Sequence, residues 1–150
     1  MRLVRFAIAV SFGLALAVPV SAAQKLEGPF DFEVIKVMDG DTFRARVTIW
    51  LGQTVDVKIR LKGVDTPEMK GKCAAETKLA REAKSFAAKW LRQDGLRLVQ
   101  IHNGTYAGRV LGTVQKANAS GPANTLSAAL LAQGLAKPYR GRRATWCGQS

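Results

Sequence analysis

On both sides of a turn at Leu51-Gly52-Gln53, apolar and polar residues alternate one for one. Before it, Phe43, Ala45, Val47 and Ile49 fall on one side of the chain and Thr42, Arg44, Arg46 and Thr48 on the other. After it, Val55, Val57, Ile59 and Leu61 alternate with Asp56, Lys58, Arg60 and Lys62. A period of two marks a half-buried strand. A β-prone run at residues 32–38 comes first, and Asp39-Gly40 is a turn signal between it and the next strand. Three strands with tight turns predict an antiparallel meander. Residues 63–71 read as a loop. Over residues 74–91 the period becomes helical. Leu79, Ala83, Phe86 and Trp90 recur at steps of three and four, with Lys78 and Glu82 paired outside. Asp94-Gly95 stops that helix. A fourth strand is predicted over 96–101, a turn at His102-Asn103-Gly104 and a fifth strand over 109–115. Asn124 can cap a second helix over 125–133, with Leu126, Ala129 and Leu130 inward and Gly134 as its stop.

The order strand-strand-strand-helix-strand-strand-helix is that of an OB-fold. The expected fold is therefore mainly β with helices: a five-stranded barrel, one helix between strands three and four, and one after strand five. Such a fold implies no particular function.

The first 22 residues stand apart from this pattern. Arg2 and Arg5 precede an apolar stretch from residue 6 to residue 20, and Val20-Ser21-Ala22 offers small residues to a signal peptidase. They read as a signal peptide, with an uncleaved membrane anchor as the alternative. The expectation is an exported protein, periplasmic or extracellular, with residues 23–150 forming a single domain that ends in a basic tail. Losing Arg2 and Arg5 lowers the formal charge only from +12 to +10. A basic domain of this size favours polyanions: nucleic acid, acidic polysaccharide or anionic membrane. A solvated cationic surface is the bland alternative. Cys73 and Cys147 are the two cysteines. In an oxidising compartment such a pair is expected to close, and so long a loop contributes about 4 kcal/mol in the chain-entropy model. His102 is the sole histidine, so histidine-based metal or triad chemistry has little to work with.

The acids carry more information than the total charge. Asp39 and Asp41 flank the first hairpin turn, and Asp65 and Glu68 lie in the loop after the third strand. Turns and loops gather at barrel ends, where these groups could converge, and clustered carboxylates with loop carbonyls suit a hard divalent cation. Arg60 and Arg109 beside them suit a phosphate diester, because a guanidinium binds two oxygens at once and stays charged. Taken singly, Asp39-Gly40-Asp41 reads as a hairpin turn, and Asp65-Thr66-Pro67-Glu68 as a turn motif or the start of a helix. Arg140-Gly141-Arg142-Arg143 reads as a solvated tail or as a contact to a nucleic-acid backbone.

Four segments in order resemble the staphylococcal nuclease (thermonuclease) family. They are Val37-Met38-Asp39-Gly40-Asp41-Thr42, the run from Arg60 through Val64-Asp65-Thr66-Pro67-Glu68, Tyr106-Ala107-Gly108-Arg109, and Gln133-Gly134-Leu135-Ala136-Lys137. The resemblance spans about residues 34–138. It implies a calcium-dependent endonuclease acting on DNA and RNA, cutting the bond between phosphorus and the 5′ oxygen. By position it implies Ca²⁺ on Asp41, Asp65 and the carbonyl of Thr66. Glu68 would hold the attacking water, and Arg60 and Arg109 would stabilise the phosphate. Tyr106 and Tyr139 approximate the family's substrate-facing tyrosines. Tyr106 is one position out of step because Ala107 intervenes, and Tyr139 is out of register. The family's long third helix is expected to be absent, and a Cys73–Cys147 bond could replace part of its clamping by tying the tail to the start of the first helix. No protein partner is implied, and a monomer is expected. The alternatives are a non-catalytic OB-type nucleic-acid-binding protein of the cell envelope and an envelope protein that holds polysaccharide or lipid by charge alone.

Overall fold

The computed structural model describes residues 24–104, 108–118 and 121–148. The expected signal peptide and Tyr106 lie outside them. Eight strands and two α-helices follow one another: β1 (Lys25–Leu26), β2 (Phe32–Val37), β3 (Thr42–Trp50), β4 (Gln53–Leu61), β5 (Val64–Asp65), α1 (Ala74–Trp90), β6 (Leu96–Asn103), β7 (Arg109–Lys116), α2 (Leu126–Ala132) and β8 (Lys137–Pro138). A 3-10 turn, Pro122–Asn124, precedes α2.

Six strands form one mixed sheet in the order β1-β6-β7-β4-β3-β2, and β5 pairs with β8 in a second, two-stranded sheet. The meander appears as expected, with β2, β3 and β4 antiparallel. The β4–β7 pair is parallel. Among the described residues the fold is thus mainly β with two helices; the five longer strands and both helices follow one another along the chain as expected, and the two-residue strands β1, β5 and β8 were not expected. The five-stranded closed barrel is not seen: the ladder has edges at β1 and β2. Those edges belong to one stretch of chain. Phe30, two residues before β2, exchanges backbone hydrogen bonds with Leu98 of β6 at 2.8 and 3.0 Å.

The core lies inside the curve of the sheet. Phe43, Ala45 and Val47 of β3 and Ile59 and Leu61 of β4 are buried with Leu98, Val114, Leu126 and Leu130. The alternation fades at the hairpin tip, where Ile49, Trp50 and Leu51 are exposed. On α1 the buried stripe is Glu76, Ala80, Ala83, Ala87 and Trp90. Ala83 and Trp90 are buried as expected, while Leu79 and Phe86 are only half-buried. Alanines let the helix approach closely. A Cβ added at Gly40 would stand 2.8 Å from that of Ala83. Thr125, rather than Asn124, caps α2, accepting from the Ala128 backbone N–H at 3.1 Å. His102 belongs to β6, not to a turn, because β6 runs on to Asn103 and pairs His102 with Leu111.

Candidate functional site

The turn between β2 and β3 and the loop after β4 meet at one end of the sheet. Asp41 stands immediately before β3, and its backbone N–H donates to Asp39 Oδ1, as expected of an Asx-type turn. Asp65 ends β5, which leaves the main sheet after the Lys62-Gly63 turn. Both carboxylates are 1% exposed, and Thr66 is 2% exposed. Burial at that level is tolerated only with partners. Arg60, on the last full repeat of β4, supplies the principal one. Its Nη1 donates to Asp41 Oδ1 at 2.5 Å and its Nη2 to Asp65 Oδ1 at 3.0 Å. Nη2 also donates to the Val64 carbonyl at 3.4 Å. Asp41 accepts further bonds from the Thr42 hydroxyl at 2.8 Å and from the Thr66 N–H at 3.1 Å.

Two buried carboxylates with Asp39 beside them outnumber the one guanidinium between them. Burial pushes the Asp41 carboxyl up to about 6. Arg60 opposes that rise, Asp39 adds to it, and the bonds from Thr42 and Thr66 oppose it. A site short of positive charge, lined by hard oxygens reaching one common group, fits a divalent cation. The Cys73, Glu76 and Cys147 trio, whose ligand atoms lie within 4.8 Å of one another, does not. Its two sulfurs are consumed in a disulfide, so no thiolate is available.

Glu68 lies farther along the same loop and lines a cleft of about 260 Å³ with Asp65, Thr66, Glu76 and the tail. Its side chain forms an ion pair with Arg143 and is 39% exposed. The tail reaches the site through a chain of contacts. β8 pairs with β5, Asp65 facing Lys137. Tyr139 then donates its backbone N–H to the Gly63 carbonyl at 3.0 Å, and its ring centroid stands 5.8 Å from the Arg60 guanidinium carbon. The Ala144 N–H donates to Asp65 Oδ2 at 3.0 Å. Cys147 closes on Cys73 with Cα atoms 6.1 Å apart.

Comparison with known proteins places this arrangement. The family model of staphylococcal nuclease homologues matches residues 58–147. The chain belongs to that family. No curated protein matches it. A staphylococcal nuclease homologue is a nuclease or nucleic-acid-binding domain. The match begins in β4, so Asp41 joins the site through geometry rather than through the matched span.

Of the residues expected from the family motifs, the fold brings Asp41, Arg60, Asp65 and Thr66 together and seats Glu68 on the adjoining cleft. Tyr139 lies against Arg60. Arg109 opens β7, in register with Lys58, and so stands one strand away and one repeat back from Arg60. Two features escaped the sequence reading. The first is Glu76, a buried acid of α1 whose carboxylate accepts the Glu68 N–H at 3.3 Å and the Lys72 N–H at 2.8 Å. Gly71 permits this approach: a Cβ there would meet Glu76 Cγ at 2.7 Å. The second is the course of the tail. Arg143 is not simply solvated, since it pairs with Glu68. The cysteine positions carried a signal for it. Cys73 follows the loop of Glu68 by five residues, so a bond to Cys147 draws the tail across the site.

Proposed function

We propose that the chain is an exported, calcium-dependent endonuclease that hydrolyses phosphodiester bonds of DNA and RNA. Residues 1–22 act as the signal peptide, and residues 23–150 form one OB-type domain, monomeric, in the periplasm or outside the cell. The convergence of Asp41 and Asp65 on a single guanidinium, beside a cleft lined by Glu68, carries this reading. Asp41, Asp65 and the Thr66 carbonyl would hold Ca²⁺. When bound, that ion supplies positive charge to the phosphate and its attacking water.

The remaining work falls to this chain's own side chains. Glu68 accepts a hydrogen bond from the water and orients it, or takes its proton. Its backbone is anchored by Glu76, which limits how far the carboxylate can stray. A guanidinium has five N–H groups. Among the described residues Arg60 directs three of them at protein acceptors, and its other two N–H groups would serve phosphate oxygens. Arg109 supplies a second fixed charge from β7 and favours departure of the 5′ oxygen. Such preorganised charge is the main resource of an enzyme acting on phosphate. Tyr139, half-exposed beside Arg60, is placed to contact a nucleoside.

The pairing of Arg143 with Glu68 favours a second reading, a non-catalytic nucleic-acid-binding protein of the cell envelope, because it engages the carboxylate that catalysis needs. Digestion of plasmid and RNA by the purified protein, with calcium or with a chelator, separates the two. The nuclease reading expects cutting that requires calcium and falls by at least 100-fold in Glu68→Gln and in Arg60→Ala. Absence of cutting with calcium, or cutting indifferent to both substitutions, leaves the binder.

A further inference from the structure

The outer face of the main sheet carries a row of like charges that no mechanism above uses in full. Ladder register sets Lys36 of β2 opposite Arg44 of β3, Arg44 opposite Lys58 of β4, and Lys58 opposite Arg109 of β7. Residues directly opposite share a face, so four cations form one line across four strands. At a strand spacing of about 4.8 Å the line is about 14 Å long.

A break in the ladder builds this row. Val34 faces inward opposite Ala45, and strict alternation would turn Lys36 inward too. An irregularity between Val34 and Lys36 resets the phase. Lys36 thereby emerges on the outer face beside Arg44, and Val37 points inward opposite Phe43. Bulges of this kind re-aim a side chain. The next row has the opposite character. Glu33 faces Arg46, which faces Asp56, and Arg46 grips Asp56 with bonds of 2.9 and 3.2 Å. Asp56 reaches Arg44 only at 3.7 Å. Like charges placed directly opposite destabilise a sheet. The cationic row has no acid of its own in the ladder, and the contact it makes with Asp56, through Arg44, is the longer one.

We infer that Lys36, Arg44 and Lys58 form a phosphate-tracking surface that holds a single nucleic-acid strand and delivers it to Arg109 and Arg60. Lys58 and Arg60 are two residues apart on the same face of β4, so the row abuts the candidate site. Its length exceeds one phosphate, so its ligand is a polymer with several. The row beside it, Glu33, Arg46 and Asp56, carries a net negative charge and so offers a polyanion less than the cationic line does. The inference rests on the nuclease reading only in taking nucleic acid as the polyanion. It adds that long substrates are held away from the scissile bond.

The test uses Glu68→Gln protein in chelator, so that nothing is cut, and a fluorescent single-stranded 20-mer as probe. The triple variant Lys36→Gln, Arg44→Gln, Lys58→Gln is compared with Lys78→Gln, Arg81→Gln, Lys89→Gln, which removes the same charge from α1. The row variant is expected to weaken binding by about 10-fold or more. It should also lower the slope of log affinity against log salt by about 2, as three lost phosphate contacts require. The α1 variant should change affinity less than 3-fold. The charge-preserving variant Lys36→Arg, Arg44→Lys, Lys58→Arg should restore binding, which excludes a folding defect. In the active protein the row variant should raise KM on long polymer and leave kcat on a dinucleotide unchanged. Equal losses in the row and α1 variants would overturn the track, even if the protein proves to be a nuclease. Row-dependent binding without any cutting would keep the track and sink the nuclease reading. Loss of heparin binding with DNA binding intact would assign the row to polysaccharide and also overturn it.

Discussion

Asp41 concentrates the electrostatic tension of the site in one side chain. Burial raises its carboxyl to about 6 although Arg60 touches it, so the folded protein holds a proton there more tightly than the unfolded chain, whose value is near 3.8. The consequence for stability has a definite sign. Below about pH 4 both states are protonated and the group costs nothing. As pH rises from 4 to above 6, the unfolded chain ionises first, and stability is lost by about 3 kcal/mol at 1.36 kcal/mol per pH unit. Urea unfolding in chelator should therefore show wild type losing stability relative to Asp41→Asn across that window. Two parallel curves would mean that Asp41 ionises as freely as an exposed aspartate. The same proton competes with any cation held by Asp41, so calcium-dependent activity should fall as the medium is acidified, and added calcium should move that fall to lower pH.

At the scale of elements, the strands were the most legible. β3 and β4 alternate so regularly that their faces follow from the residues alone, except near the hairpin tip, where the ladder shifts register between Thr48 and Trp50. α1 was legible as a helix and in half of its inward stripe: Ala83 and Trp90 are buried as expected, whereas Ala80 and Ala87 lie deeper than the more apolar Leu79 and Phe86. β1, β5 and β8 are two residues each, too short for any period, and exist only because long-range partners meet them. The cysteines indicated where the tail would be tied, but its path between β8 and Cys147 was hidden for the same reason. Its conformation comes from β5, Asp65, Glu68 and Cys73, all of them remote in sequence. This makes the tail a testable element. Joint replacement of Cys73 and Cys147 by serine should lower stability by about 2–4 kcal/mol, read as a shift in urea midpoint. It should also loosen Arg143 from Glu68, so the cutting rate should rise rather than fall. A fall would place the tail within the substrate site instead of across it.

Considered as a whole, the molecule uses its candidate site as a junction. Asp41 comes from the meander, Asp65 and Glu68 from the loop that leads to α1, and the covering residues from the end of the chain. The motifs disclosed which residues to examine. Their meeting depends on the 25-residue closure that sets the Thr66 N–H on Asp41, which no local pattern encodes. A junction of buried acids is a weak point for an isolated chain and a strong one for a liganded chain, because a cation binding only the folded form adds stability by mass action, about 2.7 kcal/mol at 100 times its Kd. Calcium should therefore raise the thermal midpoint of the wild type. Asp41→Asn and Asp65→Asn should each abolish most of that rise, and the double variant should lose little more than either, since one ion needs both ligands. A calcium-induced rise that survives in the double variant would put the ion elsewhere on the protein and leave Arg60 as the true occupant of the space between the two carboxylates.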